Sequence, residues 1–300
     1  MKTTVTLIRR NVLMFFKDKG LFFTSLITPL ILLVLYISFL GNVYRDAFVL
    51  SIPEFMNIPD EIINGCVGGQ LMSSLLAVCC VTVAFCSNML MVQDKVTGAH
   101  NDFAVTPVKS SHVALGYYVA TAIATMIVCL VALCACFIYL ATIGWYLSVS
   151  DICFILLDIF LIVMFGTALS SIINFFLSSQ GQISTVGAIV SSCYGFICGA
   201  YMPISQYGEG LQKVISLLPG TYATSLLRNH SMQGALEELE NAGLSSEAIE
   251  GIKDSIDCNI YFFDKKVPLE GSLIIVSVTV VLLITVYVLL NKLKGNKAKK

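Results

Sequence analysis

Six long apolar runs, separated by shorter polar segments, dominate the pattern of this chain. A hydrocarbon core about 30 Å thick takes roughly 20 apolar residues in a helix, and each run is about that long or longer. The pattern therefore predicts an all-α polytopic membrane protein with six transmembrane helices. The predicted spans cover residues 21–41, 64–92, 112–143, 151–176, 182–200 and 271–290.

Two further segments complete the predicted architecture, which we treat as one transmembrane domain over residues 1–300. Residues 4–19 repeat apolar side chains at helical spacing, while Arg10 and Lys17 fall on the opposite side. This pattern is typical of an amphipathic helix that lies in the membrane interface. Residues 201–270 are polar and rich in acidic side chains. They predict an extracellular subdomain of short helices between spans 5 and 6, in which Ser245 can cap a short helix whose first turn holds Glu247.

The basic residues indicate how the chain is oriented in the membrane. The sequence is 57% hydrophobic and 12% charged, and no Lys or Arg occurs between Ser110 and Gln212. Bases concentrate instead in residues 2–19, 95–109 and 292–300, segments that alternate correctly for a single membrane face. By the positive-inside rule that face is cytoplasmic, which predicts a plasma-membrane protein with both termini in the cytoplasm. A net charge of −1 gives no support for a nucleic-acid partner, and membrane lipid is the expected surrounding.

Cysteine and histidine offer no recognisable metal or catalytic site in this sequence. Ten of the eleven cysteines fall within apolar runs, where a free thiol behaves as a small hydrophobe, and only Cys258 lies in a polar segment. The histidines, His100, His112 and His230, fall in predicted loops or interfaces and are interpreted as solvated surface residues. No paired catalytic residues or metal-ligand spacing occur, so the sequence predicts neither an enzyme nor a bound metal.

Four polar residues are candidates for a substrate path. Asp158 lies about 10 Å along a span 4 helix that begins near Asp151, where a buried carboxylate is costly and is usually functional. If the span begins later, Asp158 lies instead near the outer headgroups. Asn174, Gln180 and Gln182 lie near the inner side, where they contact cargo or satisfy backbone groups at the turn between spans 4 and 5.

The energy source for any uphill transport is expected to lie outside this chain. The sequence contains no GxxxxGK[ST] phosphate loop, so it does not bind ATP by that route. Spans 1, 2, 3, 5 and 6 also lack the ionisable residues that ion-coupled carriers place near the middle of the membrane. A separate motor subunit fits the sequence better than an ion gradient.

Three motifs, in order along the chain, resemble those of type-2 ABC transporter permeases, the membrane subunits of ABC exporters. The polar segment 93–109 reads QDKVTGAHNDFAVTPVK and resembles the coupling segment of that family. The motifs RRN at 9–11 and FFKDK at 15–19 resemble its interfacial helix. The third match is GAYMP at 199–203, followed by LLPGTY at 217–222; it resembles the end of the family's span 5 and the short helices after it.

The resemblance implies a permease subunit that binds no cofactor itself. ATP and Mg would be bound by a separate cytoplasmic ATP-binding subunit, and the permease would pair with a second permease chain as a homodimer or a heterodimer. An ordinary solvated loop is the alternative interpretation of segment 93–109. The residues that match the coupling segment are Asp94, Lys95, Gly98, Asp102, Phe103 and Pro107, and those that match the adjoining interfacial helix are Arg10 and Lys17.

Two classes of function follow from these observations. The first is the permease subunit of an ATP-driven exporter that moves an amphipathic drug, a lipid-like compound or a peptide out of the cell. The second is a membrane-embedded sensor or structural subunit whose outer segment binds a ligand. A neighbouring gene for an ATP-binding subunit would favour the first, and one for a kinase or regulator would favour the second.

Overall fold

The computed structural model describes residues 2–51, 58–99, 108–263 and 265–297. A π-helical turn, Tyr36–Leu40, joins the second and third helices without a break, and a 3₁₀ turn spans Ile204–Gln206. Strands β1 (Ile260–Phe262) and β2 (Lys265–Val267) pair as an antiparallel hairpin. In chain order the α-helices are α1 (Lys2–Lys17), α2 (Lys19–Leu35), α3 (Gly41–Ser51), α4 (Asp60–Val96), α5 (Ser110–Ile143), α6 (Val149–Phe176), α7 (Gln180–Ile197), α8 (Glu209–Ile215), α9 (Pro219–Asn241), α10 (Ser246–Ser255) and α11 (Leu269–Lys297).

Helix α4 forms the centre of the bundle and is buried along almost its whole length. It packs against α2, α5, α6, α7 and α9. Small residues permit this close packing, because helices approach within a membrane where side chains are short. A Cβ atom added at Gly69 would lie 2.5 Å from the carbonyl oxygen of Ser231 on α9. A Cβ atom at Gly166 of α6 would lie 3.0 Å from the Cα atom of Val81.

Polar side chains cap the N-termini of several of these helices. Each accepts a hydrogen bond from a backbone amide in the first turn of its helix. Asp18 accepts from the Leu21 amide at 3.1 Å, which separates α1 from α2. Ser148 and Ser179 begin α6 and α7 as parts of reciprocal capping boxes. Ser245 accepts from the Ala248 amide at 3.2 Å and begins α10, as the sequence predicts.

Within the described residues, five apolar helices have the length and composition needed to cross a membrane, so the chain is a multi-pass, largely helical membrane protein. They are Lys19–Asp46, Asp60–Val96, Ser110–Ile143, Val149–Phe176 and Leu269–Leu293. The predicted span 182–200 corresponds to α7, which has 18 residues and is therefore about 27 Å long. A sixth span remains a prediction. The first apolar helix continues past the predicted end at residue 41, because α3 extends the same helix to Ser51.

The segment 201–270 was predicted to be an extracellular subdomain of short helices, but it contains one long helix, α9. Helix α9 has 23 residues and packs against α4, α6 and α11, with Leu227 and Met232 fully buried. It starts beside α7, where a Cβ atom at Gly220 would lie 2.9 Å from the Tyr194 hydroxyl oxygen. Helix α9 is therefore part of the bundle. The β1–β2 hairpin is a second, local departure from the all-α prediction.

The two ends of the bundle are distinct. One end holds α1, Val96 and Phe176. We call it the termini face, because the first helix, α1, and the C-terminal half of the last helix, α11, both pack there. At this end the Tyr287 hydroxyl on α11 contacts the Ala114 carbonyl oxygen of α5 at 3.4 Å. We call the end that holds Asp60 and Tyr146 the distal face.

Candidate functional site

A junction of four helices at the termini face is centred on two adjacent residues of α4. Asp94 is only 4% exposed, and both of its carboxylate oxygens accept bonds. Arg10 of α1 donates to them at 2.8 and 3.1 Å, in a bidentate ion pair. The Tyr117 hydroxyl of α5 donates to the same carboxylate. Asp94 therefore joins α4 to α1 and α5 through charge-assisted bonds, which are the stronger class of hydrogen bond.

Arg10 is held in place from a second side as well. Its guanidinium also donates to Asn11 Oδ1 at 2.8 Å, and Asn11 is buried. The hydrogen bond to Asp94 raises the pKa of Arg10, so the guanidinium stays charged at any physiological pH. The amphipathic helix α1 is thus attached to the bundle by a fixed ion pair as well as by its apolar side chains.

Lys95 joins α4 to the end of α6. Its ammonium donates to the carbonyl oxygens of Asn174, Phe175 and Leu177 at 2.8, 2.9 and 3.1 Å. These carbonyl groups lie at the C-terminus of α6, where intrahelical partners run out and the helix dipole favours a cation. Lys95 therefore satisfies backbone groups that would otherwise lack a partner, and it fixes the position of α6 relative to α4.

Gly98 ends α4 immediately after this junction. Its φ of +85° lies in the left-handed region, where glycine is favoured because it has no Cβ atom. The chain therefore turns away from the α4 axis at this point. Asp102, Phe103 and Pro107, which match the family coupling segment, lie outside the described residues. Lys17 is exposed at the end of α1.

Asp158 is paired with His230, and the predicted surface position of that histidine is wrong. His230 was interpreted as a solvated surface histidine, but it is 8% exposed and lies within α9. Its Nδ1 atom lies 2.6 Å from Oδ2 of Asp158, and its ring stacks on Phe154 at 4.8 Å. Asp158 Oδ1 is buried and has no hydrogen-bond partner among the described residues. The pair fixes α9 against α6 about 14 Å along α6 from Val149.

The other candidate path residues lie at the opposite end of α6 from Asp158. Asn174 follows Asp158 by 16 residues, which corresponds to about 24 Å along a helix. Gln182 Oε1 accepts from the Ser178 and Ser179 amides at 2.9 and 3.3 Å, so it satisfies the backbone at the turn. Gln180 is exposed at the start of α7. The structure thus does not bring these four residues into one site.

A buried arginine on α9 forms a second junction that the sequence analysis missed. Arg228 is 1% exposed and donates to the Gly199 carbonyl at 2.9 Å and to Ser74 Oγ of α4 at 3.2 Å. It also lies 3.5 Å from Asp257, and that carboxylate accepts from the Ile204 amide. Burial raises the pKa of Asp257 to about 6, against the opposing effect of the nearby guanidinium. A lone Arg directly after Leu226 and Leu227 was the signal available in the sequence.

A third polar cluster lies inside the bundle. Asn88 of α4 donates to Ser170 and Ser171 of α6 at 3.0 and 2.9 Å, and Thr121 of α5 contacts its Oδ1 at 3.4 Å. In the described part of the chain, no three His, Cys, Asp or Glu side chains are grouped as a metal site requires. The Asn88 cluster connects α4 to α5 and α6.

A family model described as ABC-2 type transporter matches residues 2–230, about three quarters of the chain. The match covers α1, the helix junction at the termini face and about half of α9. No curated protein sequence matches the chain.

Proposed function

The chain belongs to the ABC-2 type transporter family, and from that premise we propose that it is the permease subunit of an ATP-driven exporter. Family membership implies a transport subunit that pairs with a separate ATP-binding subunit. In our proposal the termini face lies in the cytoplasm, α7 completes six spans, and the protein resides in the plasma membrane. The cargo is an amphipathic drug, a lipid-like compound or a peptide, moved out of the cell by ATP hydrolysed with Mg on the partner.

The observation that carries the proposal is the helix junction at Asp94 and Lys95. These adjacent side chains join the end of α4 to α1, α5 and α6. A force applied to the segment that follows Gly98 therefore reaches four helices at once, and packed helices respond by rigid-body movement. Such a junction suits a permease driven by an external motor. In this interpretation Arg10, Asp94 and Lys95 are positioning residues, whereas Asp102, Phe103 and Pro107 would contact the motor.

Helix α7 supports the proposal of a second permease chain. Ser184, Thr185 and Ser192 form an exposed face of small side chains on it, and small residues let helices approach closely within a membrane. We propose that this face meets the second chain or the cargo path between the two chains. Gln180 and Gln182 lie at the start of the same helix, and Asn174 lies close by.

Coexpression with the ATP-binding subunit tests the proposed function. The two subunits should copurify, and ATP hydrolysis in proteoliposomes should be stimulated by at least one compound of an amphiphile panel. The double substitution Asp102→Ala, Phe103→Ala should remove that stimulation, because motor contact would be lost. The matched control is Glu270→Ala, Phe262→Ala, which removes an exposed acid from the first turn of α11 and an exposed aromatic ring from β1. Unchanged coupled hydrolysis in the first variant would contradict the proposal.

A second candidate function is sensing by the outer segment, residues 201–270. A cavity of about 480 Å³ lies within this segment, lined by polar residues that include Glu209, Lys213 and Asp254. That volume falls within the usual range for small-molecule sites. If the purified chain binds a ligand here and copurifies with a kinase or regulator but with no ATP-binding subunit, sensing replaces export as the function.

A further inference from the structure

A separate, largely apolar cavity lies where the first membrane helix meets the segment after α7. Its volume is about 430 Å³, within the range of sites that bind small molecules. Aromatic and aliphatic side chains form most of its wall, and none of the described lining residues is charged. Phe39, Tyr44 and Phe48 contribute from one side, and Tyr201, Met202 and Pro203 contribute from the other.

The cavity lies at the depth where hydrocarbon gives way to headgroups. Counting from Leu21, 20 residues of helix span about 30 Å and reach Leu40. Phe39 therefore lies near the hydrocarbon boundary, and Tyr44 lies beyond it, toward the distal face. Phe39 and Val43 are 63% and 47% exposed, so the wall of the cavity that they form opens toward lipid. An amphiphile could enter this cavity sideways from the leaflet at the distal face.

Gln70 of α4 provides a polar group in this apolar wall. It is 1% exposed, and its Oε1 atom has no hydrogen-bond partner among the described residues. Buried acceptors are nearly always paired, because an unpaired one keeps the full cost of losing water. A ligand with a hydroxyl or amide N–H donor would satisfy this oxygen.

The helix geometry at the cavity is also unusual. The π-helical turn Tyr36–Leu40 places Phe39 and Leu40 in the cavity wall. Single π-helical turns within α-helices are rare and occur frequently at functional sites. The Tyr36 hydroxyl is also buried, again with no partner in the described part of the chain. The cavity, the unpaired Gln70 oxygen and the π-helical turn are three independent features of one place.

We propose that this cavity binds an uncharged amphiphile from the leaflet at the distal face. Its alkyl body would pack against the aromatic wall, and its hydroxyl or amide N–H would donate to Gln70 Oε1. A cationic headgroup is disfavoured, because none of the described lining residues offers a carboxylate. The proposal concerns binding only and needs neither ATP hydrolysis nor a second subunit.

Photolabelling of the full-length chain in lipid nanodiscs tests this proposal. The probe is a long-chain fatty alcohol that carries a diazirine, and the comparison probe is the same diazirine chain without the hydroxyl. The alcohol should label peptides within residues 36–48 and 201–206, and unlabelled alcohol should compete. Gln70→Leu should lower labelling by the alcohol about three- to tenfold, the value of one hydrogen bond, with little effect on the alkane probe.

A pair of valine substitutions separates the cavity from ordinary lipid contact. Val43 lines the cavity, whereas Val34 is exposed on the same continuous helix and lies outside it. Val43→Trp should lower labelling by the alcohol about tenfold, because the larger side chain would fill part of the cavity. Keeping two methylene groups of the probe out of the cavity is enough for an effect of that size. Val34→Trp should leave labelling unchanged. Three results would each overturn the proposal. The first is equal labelling of the two variants, and the second is labelling that simply follows the exposure of side chains along α2, α5 and α11. The third is a crosslink from Phe39 to a second copy of this chain.

Discussion

The ion pair between Arg10 and Asp94 should contribute much more to stability than the similar pair between Arg45 and Asp60. Both are Arg–Asp pairs with a closest N···O distance of 2.8 or 2.7 Å. They differ in burial, because the Asp94 side chain is 5% exposed and the Asp60 side chain is 74% exposed. Exposed pairs contribute about 0–1 kcal/mol, since water competes for both charges.

The expected magnitude for the buried pair follows from what each substitution leaves behind. Arg10→Ala would leave the buried Asp94 carboxylate with Tyr117 as its remaining hydrogen-bond partner among the described residues. Breaking a fully buried pair costs about 3–5 kcal/mol. We expect the lower end, about 3 kcal/mol, because the Arg10 side chain is itself 31% exposed and is partly hydrated. The coupling energy between Arg10→Ala and Asp94→Ala should then be about 1.5–3 kcal/mol.

Two double-mutant cycles measure this difference. Each cycle compares the free energy of unfolding of two single variants and the double variant, from reversible denaturation in mixed micelles. The cycle for Arg45→Ala and Asp60→Ala serves as the control and should give less than about 1 kcal/mol, falling further as salt is added. If the two cycles give equal coupling energies, the junction at Asp94 does not hold α1 to α4, and this basis for the proposed function is lost.

Further predictions concern other contacts. Gly69→Val should destabilise the protein by about 2 kcal/mol or more, because the valine side chain would overlap the α9 backbone. The control is Gly181→Val, where the space is open. Its thermal midpoint should fall much less than that of Gly69→Val. Lys95→Met should cost about 1–3 kcal/mol and reduce cargo-stimulated ATP hydrolysis, measured in proteoliposomes with the partner subunit; full coupling in a folded variant would refute its positioning role. The pKa of Asp257 is about 6 in the folded protein and about 4 in the unfolded chain. Between these pH values the folded protein keeps a proton that the unfolded chain has released, so stability should fall as the pH rises from about 4 to about 6. In Asp257→Asn, thermal midpoints should lack this slope, and an unchanged slope would assign it to other groups. Asp158→Asn should change transport if the residue lies on the cargo path, and unchanged transport would leave it a structural role.

Local sequence patterns predicted the long helices and several of their starting points. Apolar runs of about 20 residues or more identify helices that can cross a membrane, and five of the six predicted runs correspond to such helices. Ser245 was predicted to begin α10 because capping depends only on residues within one helical turn. The motifs around residues 93–109 and 199–222 indicated the family, and the family match confirms that resemblance.

Contacts between distant segments were not predicted, because nothing in a local pattern specifies them. His230 and Asp158 are 72 residues apart in sequence, and each has an ordinary local context on its own. The hydrogen-bond partners of Arg228 include Ser74, which lies 154 residues earlier. The polar composition of 201–270 predicted a separate extracellular subdomain. It did not show that the apolar and small residues of α9 would pack inside the bundle.

The enclosure of α4 by α9 has a consequence for biogenesis. Helix α4 is the second long apolar helix to emerge from the ribosome, whereas α9 is synthesised more than 100 residues later. Until then, Gly65 and Gly69, which α9 will cover, lack their final neighbours. The nascent chain must therefore keep α4 near the insertion machinery, or tolerate its polar groups in lipid, until translation passes Asn241. Truncation before that residue should leave a chain that inserts into the membrane but is recognised as unfinished and degraded.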